Sequence, residues 1–318
     1  MTAISRAFRC FDEVARRGSI RKAAGTLHLT PAAVQQQIAN LEADVGIPLF
    51  DRLPRGVRLT AAGELLVATV RRCQRDYDNA LASIEEMRSL RRGHIHLAVT
   101  NSSAEQLLPE VIRSTMDSYP GLTYEVRTGS GEDIVRWVAS GEVDFGFCLR
   151  RKVPPGVVVA RAFAQCLGAV YPPGHPLSRH AAGGAPLRLR DCLEYPLILM
   201  SKDTELRAMV EQIGAQGRRA VSAAVQTTSI PLVRRLIAGG AGIGVLIPEN
   251  VADDVERGVL CWHALGDAAA RSGSCIYQRS GQVTTAAAGV FLQHLEAALR
   301  ALHARFGLDD AEPHAIAP

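Results

Sequence analysis

Residues 19–42, SIRKAAGTLHLTPAAVQQQIANLE, constrain the fold more than any other stretch of the chain. Two helical patterns meet there with only His28 and Leu29 between them. The Ser19 hydroxyl is placed to cap the first, over 20–27. Thr30 caps the second, and Pro31 takes its first helical position, where a missing N–H costs nothing. Val34, Ile38, Leu41 and Val45 recur at i, i+4, i+7 and i+11, so one face of the second helix must be buried. Its other face shows Ala32, Ala33, Gln35, Gln36, Ala39 and Asn40, with no acid in the first two turns. Small residues let a backbone enter a DNA major groove, and Gln or Asn pairs bidentately with adenine. Two readings fit these residues: a helical hairpin inside an α core, or a helix-turn-helix whose second helix meets base edges.

The flanks favour the second reading. Residues 3–16 form a helix with Phe8, Phe11, Val14 and Ala15 on one face, a third leg for the same core. After a break at 46–48, short apolar runs flank Leu53-Pro54-Arg55-Gly56, a hairpin wing lined by Arg52, Arg55 and Arg58. Arginines at a hairpin tip suit phosphate or minor-groove contact, although any one of them also reads as a solvated loop cation. Thr60 then caps a helix reaching about Arg91 and roughly 45 Å long at 1.5 Å per residue. Leu66, Val70, Cys73, Tyr77, Ala80, Ile84 and Met87 make a heptad seam along it, the pattern of a linker that pairs two chains. Charge follows the same division. Residues 1–93 carry 15 Arg/Lys against 10 Asp/Glu, and the remainder 21 against 22, so the excess positive charge sits in the part that holds the two-helix segment, as phosphate neutralisation requires.

These residues resemble the winged helix-turn-helix of the LysR-type transcriptional regulators. Ala23-Ala24, Leu27, Ala33-Val34, Gln37-Ile38 and Leu41-Glu42 stand in that family's register, and Gly46, Leu49-Phe50, Arg52, Leu59-Thr60 and Gly63 continue it. Thr30 replaces the family's serine, Pro31-Ala32 its Gln-Pro, and Gln35 its second serine, so the docking mode carries over but the base preference does not. Ser19, Thr30, Pro31, Ala33, Gln35, Gln36, Arg52, Arg55 and Arg58 are the candidate DNA contacts: Ala33, Gln35 and Gln36 at base edges, the hydroxyls and arginines at phosphates.

Downstream, strands at 94–100, 122–127 and 143–149 alternate with helices to about 118 and at 132–140, giving two βαβ units and a parallel sheet. Further strands fit 167–171, 197–200, 221–226, 243–247 and 274–279, with helices at 205–216, 230–238, 249–257 and 285–306. The resemblance extends to GEVDFGF, PPGHPL at 172–177 and IAGGAGIGVLIP at 237–248. It implies an α/β effector domain similar to periplasmic binding proteins, with two subdomains of parallel sheet. The expected organisation is a winged helix-turn-helix over 1–60, a linker and dimerisation helix over 61–91, and a regulatory domain over 92–306. Its first subdomain takes about 94–162 and 270–306, the second 163–269, with crossings near 160–165 and 265–270. The tail 307–318 lacks an apolar pattern and reads as disordered.

In doubly wound sheets ligands bind beyond the carboxyl ends of strands, at helix N-termini. Three such junctions carry hydroxyls: Thr100 with Ser102 and Ser103, Thr204, and Thr228 with Ser229. Each also reads as a plain N-cap. In LysR-type proteins these positions face the effector cleft, which points to a small organic anion held by hydroxyl and backbone donors; Asp203 weighs against a strongly anionic one. Arg150-Arg151-Lys152 reads first as a solvated loop.

Nothing in the sequence asks for catalysis or a cofactor. GGAGIG at 239–244 runs helix-then-strand, the reverse of a dinucleotide fingerprint, and TGSGED at 128–133 lacks the third glycine, so both read as turns. His94 with His96, and Cys261 with His263, alternate on strand faces without two further ligands at metal-like spacing, so no metal is expected. The seven cysteines are scattered, without CxxC, and read as idle thiols rather than a redox pair. No apolar run reaches membrane-spanning length and no signal peptide is evident, so a cytoplasmic location with no membrane partner is expected. The expected partners are an imperfectly palindromic double-stranded DNA operator, a small-molecule effector, a second copy of the chain (dimers pairing into tetramers) and RNA polymerase. The alternative is a constitutive DNA-binding protein with no ligand response.

Overall fold

The structure, a computed structural model, describes residues 5–53, 56–86, 93–182 and 186–308. They fall into two units, one of Met1–Leu90 with Ala139–Glu142 and the other of Arg91–Val138 with Val143–Pro318, here called head and body.

The head begins with α1 (Arg6–Arg17), α2 (Ile20–Leu27) and α3 (Pro31–Val45). Side-chain oxygens start each of them: Ser5 accepts from the Phe8 N–H, Ser19 from Lys22 and Thr30 from Ala33. Left-handed residues Gly18, His28 and Gly46 end them. Cys10, Val14, Ala23, Ala24, Val34 and Ile38 interlock as the three-helix core. Phe11, Leu41 and Leu49 form a second layer with Val67 and Val70. Val45, expected on the buried face, is 44% exposed and belongs to neither layer of this core.

A wing of β1 (Phe50–Leu53) and β2 (Gly56–Leu59) pairs antiparallel, and α4 (Ala61–Glu86) follows. Gly56 has to be glycine: its φ is +107°, and a Cβ there would stand 2.3 Å from the Gly18 carbonyl oxygen. Glu42 ties α3 to the wing, its Oε1 accepting from the Leu49 and Phe50 N–H groups at 2.8 and 3.2 Å. Glu42→Ala strands two donors at a half-buried junction, and a loss of about 1–3 kcal/mol is expected in urea unfolding of the head.

On α4, Val70 is 5% exposed and, with half-buried Leu66, packs into the head's own core. The first two seam positions are therefore not a free surface. The sequence pattern cannot separate a stripe facing its own domain from one facing a second chain. Cys73 is exposed and Tyr77 half-buried; the side chains of Ala80 and Ile84, and all of Met87, lie outside the described residues.

The body opens with β3 (Gly93–Val99), α5 (Asn101–Gln106), α6 (Leu108–Ser118), β4 (Leu122–Thr128), α7 (Gly131–Ala139) and β5 (Phe145–Leu149). The chain then runs β6 (Val157–Cys166), β7 (Gly168–Tyr171), α8 (Leu177–Ala182), α9 (Leu189–Cys192), β8 (Leu197–Met200) and α10 (Glu205–Gln216). Next come β9 (Val225–Thr227), α11 (Ile230–Ala238), β10 (Ile243–Leu246), α12 (Ala252–Glu256), β11 (Cys261–Ala264), β12 (Arg271–Arg279) and α13 (Ala286–Arg305). One sheet has the order β4-β3-β5-β12-β6 and the other β11-β7-β10-β8-β9.

Both sheets are mixed, which corrects the expectation of parallel ones. β12 returns antiparallel to β5 and β6, and β7 lies antiparallel between β10 and β11. The long strands β6 and β12 are the crossing segments, so the first sheet keeps the chain to Cys166, past the exchange expected near 160–165. Strand β6 and the short helices α8 and α9 have no counterpart in the sequence reading, where β11 figures only as the strand face shared by Cys261 and His263. The second sheet is buried on both faces: Leu197 and Leu199 enter one core, Ile198 and Met200 the other, which is why LILM shows no alternation. The tail from 309 onward lies outside the described residues.

Candidate functional site

The head offers a reading surface on α3. Thr30, Pro31, Ala32, Gln35, Gln36, Ala39 and Asn40 are exposed while Val34, Ile38 and Leu41 are buried. Ala33 is half-buried, its N–H given to the Thr30 hydroxyl at 3.2 Å. The Gln36 amide donates to Asn40 Oδ1 at 2.8 Å, so the two amides hold one another in place. Ser19 is half-buried at the start of α2, where Arg21 and Lys22 are exposed cations that the sequence reading did not single out. On the wing Arg52 is exposed, whereas Arg58 lies 3.4 Å from Asp51 and shares part of its charge with it. Arg55 lies outside the described residues.

The body holds a cavity of about 280 Å³ reached by loops from both sheets. The loops after β3, β4, β8, β9 and β10, together with β5 itself, supply its lining. This is the carboxyl-end placement of ligand sites in open α/β sheets. Thr100, Ser102, Ser103, Thr204 and Thr228 all line it. Ser229 is not among the lining residues: its hydroxyl accepts from the Leu232 N–H at 3.3 Å as the cap of α11. Capping and lining are compatible elsewhere. Thr100 Oγ1 accepts from the Ser103 N–H and lies 3.1 and 2.9 Å from the Ser102 and Ser103 hydroxyls. Thr204 accepts from the Arg207 N–H and donates to the Ser201 carbonyl.

The sequence reading missed Ser130, Glu205, Glu249 and Asn250, which line the same cavity. Ser130 belongs to the glycine turn before α7, where it exchanges hydrogen bonds with Asp133 and holds that carboxyl below its usual pKa. Glu249 and Asn250 are 2% and 1% exposed, and Glu249 Oε2 and Asn250 Oδ1 have no protein hydrogen-bond partner. Gln165 donates to the other Glu249 oxygen, and His303 Nε2 lies 3.6 Å from it.

Arg151, read as a solvated loop residue, is instead half-buried and paired with Glu205 at the start of α10. The pair passes over Gly131, where a Cβ would stand 2.5 Å from both partners. Tyr277 anchors it from behind, its hydroxyl accepting from the Arg151 N–H and donating to the Leu149 carbonyl. Cys148 and Cys275 stand opposite one another on β5 and β12. Burial raises both thiols, Cys148 to about 12, so neither is a ready thiolate.

A winged helix-turn-helix head and a two-sheet α/β body with a cleft-type cavity together define a DNA-binding regulator with a small-molecule site. Residues 5–64 match the lysR-family bacterial regulatory helix-turn-helix, and residues 88–300 the LysR substrate binding domain. The chain belongs to the LysR-type transcriptional regulators, which are not enzymes. It is 25% identical over 289 residues to the HTH-type transcriptional activator CmpR of Synechocystis sp., covering 91% of this chain and 93% of that one. It is 30% identical over 251 residues to a RuBisCO operon transcriptional regulator of Acidithiobacillus ferrooxidans, 79% of each chain. In fold it resembles a full-length OxyR variant from Pseudomonas aeruginosa (TM-score 0.68, 17% identity, 93% of each chain). It also resembles full-length CbnR complexed with its target DNA (TM-score 0.62, 17% identity, 92% of this chain and 99% of that one).

Proposed function

We infer that this protein is a ligand-responsive regulator of transcription, acting in the cytoplasm on an imperfectly palindromic DNA site. Two heads, paired through α4, occupy successive major-groove faces, and dimers associate further through their bodies and engage RNA polymerase. No described helix is long and apolar enough to cross a membrane, which agrees with this setting.

The observation that carries the ligand response is the cavity, where five hydroxyl side chains from three separate strand ends face one space. Its volume suits a ligand of about ten heavy atoms, since a cavity of about 150 Å³ holds benzene. The N-termini of α7, α10 and α11 border it and favour a carboxylate. The unpartnered acceptors of Glu249 and Asn250 call for a donor group on the same ligand. The effector class is thus a small organic acid that also bears hydroxyl or amino donors, a narrower reading than an anion alone.

Thermal melting of the full chain with a panel of such acids tests this. A binder raises Tm with concentration. Ser102→Ala, which removes a hydrogen bond to a charged group, is expected to weaken the binder by about tenfold or more. A Tm indifferent to every acid, beside intact sequence-selective DNA binding, would mark the protein as constitutive.

A further inference from the structure

Away from both sites, β3 and β4 bring a second set of polar side chains together. His94 and His96 project from one face of β3, and the parallel register sets His94 beside Thr123 and His96 beside Glu125. One ring nitrogen from each histidine and a Glu125 carboxylate oxygen lie within 4.8 Å of one another. Among the described residues this is the one place where three potential ligand side chains meet in this way.

The neighbours of these three matter as much as their proximity. His94 Nδ1 is held by the Thr123 hydroxyl at 2.6 Å, which leaves Nε2 for another partner. His96 Nδ1 faces Asp144 Oδ2 at 3.4 Å, and the same oxygen accepts the His96 backbone N–H at 2.8 Å. His96 Nε2 is then 3.8 Å from Glu125 Oε2. Arg127 Nε stands 3.5 Å from the other Glu125 oxygen, and its guanidinium lies over the Trp137 ring at 5.9 Å. His94 Nδ1 and one Glu125 oxygen are thus steadied from behind, whereas the buried His96 Nδ1 lies near Asp144 without a hydrogen-bond partner in the protein. Metal-binding histidines are characteristically oriented this way, by a hydroxyl or carboxylate on the second nitrogen.

We propose that His94, His96 and Glu125 form a binding site for a divalent transition-metal ion of the zinc class. Two imidazoles and one carboxylate suit borderline ions such as Zn²⁺, Co²⁺ or Ni²⁺. Ligands of one tetrahedral ion stand about 3.4 Å apart at bond lengths of about 2.1 Å, so small side-chain rotations complete the set. Water fills the fourth position. His94 and Glu125 are exposed, so the ion exchanges with solvent, and it ties the starts of β3 and β4 together.

The test is calorimetric titration of the metal-free, untagged full-length protein with Zn²⁺, with Co²⁺ absorption reporting the ligand set. One ion per chain is expected, together with a rise in the Tm of the body. His94→Ala and Glu125→Gln, both at exposed positions that leave the fold alone, are each expected to weaken Zn²⁺ by about 100-fold. Thr123→Val, which removes only the orienting hydroxyl, is expected to cost about tenfold. Cys73→Ser, the exposed thiol on α4, is expected to change nothing. Wild-type protein that binds no ion at about 10 µM, or binding undiminished by His94→Ala and Glu125→Gln, would overturn the proposal.

Discussion

Replacing Phe11 by alanine is expected to lower the stability of the head by about 3–5 kcal/mol. Its ring is fully buried, sits 5.3 Å edge-on from Phe50, and packs with Leu41, Leu49, Val67 and Val70. These neighbours come from α3, the wing and α4, so the ring is where all three are held to α1. Alanine leaves a cavity that none of them can collapse into without losing contacts of its own. A unit of this size has about 5–15 kcal/mol in total, so the loss consumes a large share of it. In calorimetry of the full chain the head transition should fall by about 15–25 °C while the body transition stays in place. Sequence-selective DNA binding should fade at temperatures where the body is still folded. A single melting transition moving as a whole would contradict the independence of the two units.

What the sequence discloses depends on how far apart the interacting residues lie. Thr30-Pro31 and Thr60 announce their helices because an N-cap acts over three residues, and the boundaries of α2, α10 and α11 follow the same local logic. Strand β6 is the opposite case. VVVARAFAQC carries Arg161 and Gln165 in positions that break an alternating pattern, and its partner strand among the described residues, β12, lies about a hundred residues on. The five cavity hydroxyls were legible because strand-end junctions converge in any doubly wound sheet. Glu249 and Asn250 were not: they read as the first residues of a helix over 249–257, and only Gln165 and His303, arriving from β6 and α13, show them as buried polar groups. The histidine pair behaves likewise. His94 and His96 are visible as a pair, but Glu125 and Asp144 reach them only through sheet register.

Gln36→Ala is expected to cost about 1–3 kcal/mol, or about 5–150-fold, on the preferred operator and little on unrelated duplex. The side chain stands on the exposed face of α3, in the second turn after the Thr30 cap, where a helix-turn-helix reader meets base edges. Asn40 already accepts one of its amide hydrogens, which orients Gln36 before DNA arrives. Asn40→Ala should therefore give a smaller loss of the same kind, by freeing the rotamer rather than removing the contact. Arg52→Ala belongs to a different class. An exposed wing cation neutralises phosphate, so affinity should fall alike on all sequences, and the slope of log K against log salt should shrink by about 1. Arg58→Ala should do less, because Asp51 beside it already offsets part of the charge. Mobility shifts on operator and scrambled duplex across a salt series separate these outcomes. If Gln36→Ala weakened both duplexes equally, base reading would have to be reassigned to other residues of α3, with Gln35 the next candidate.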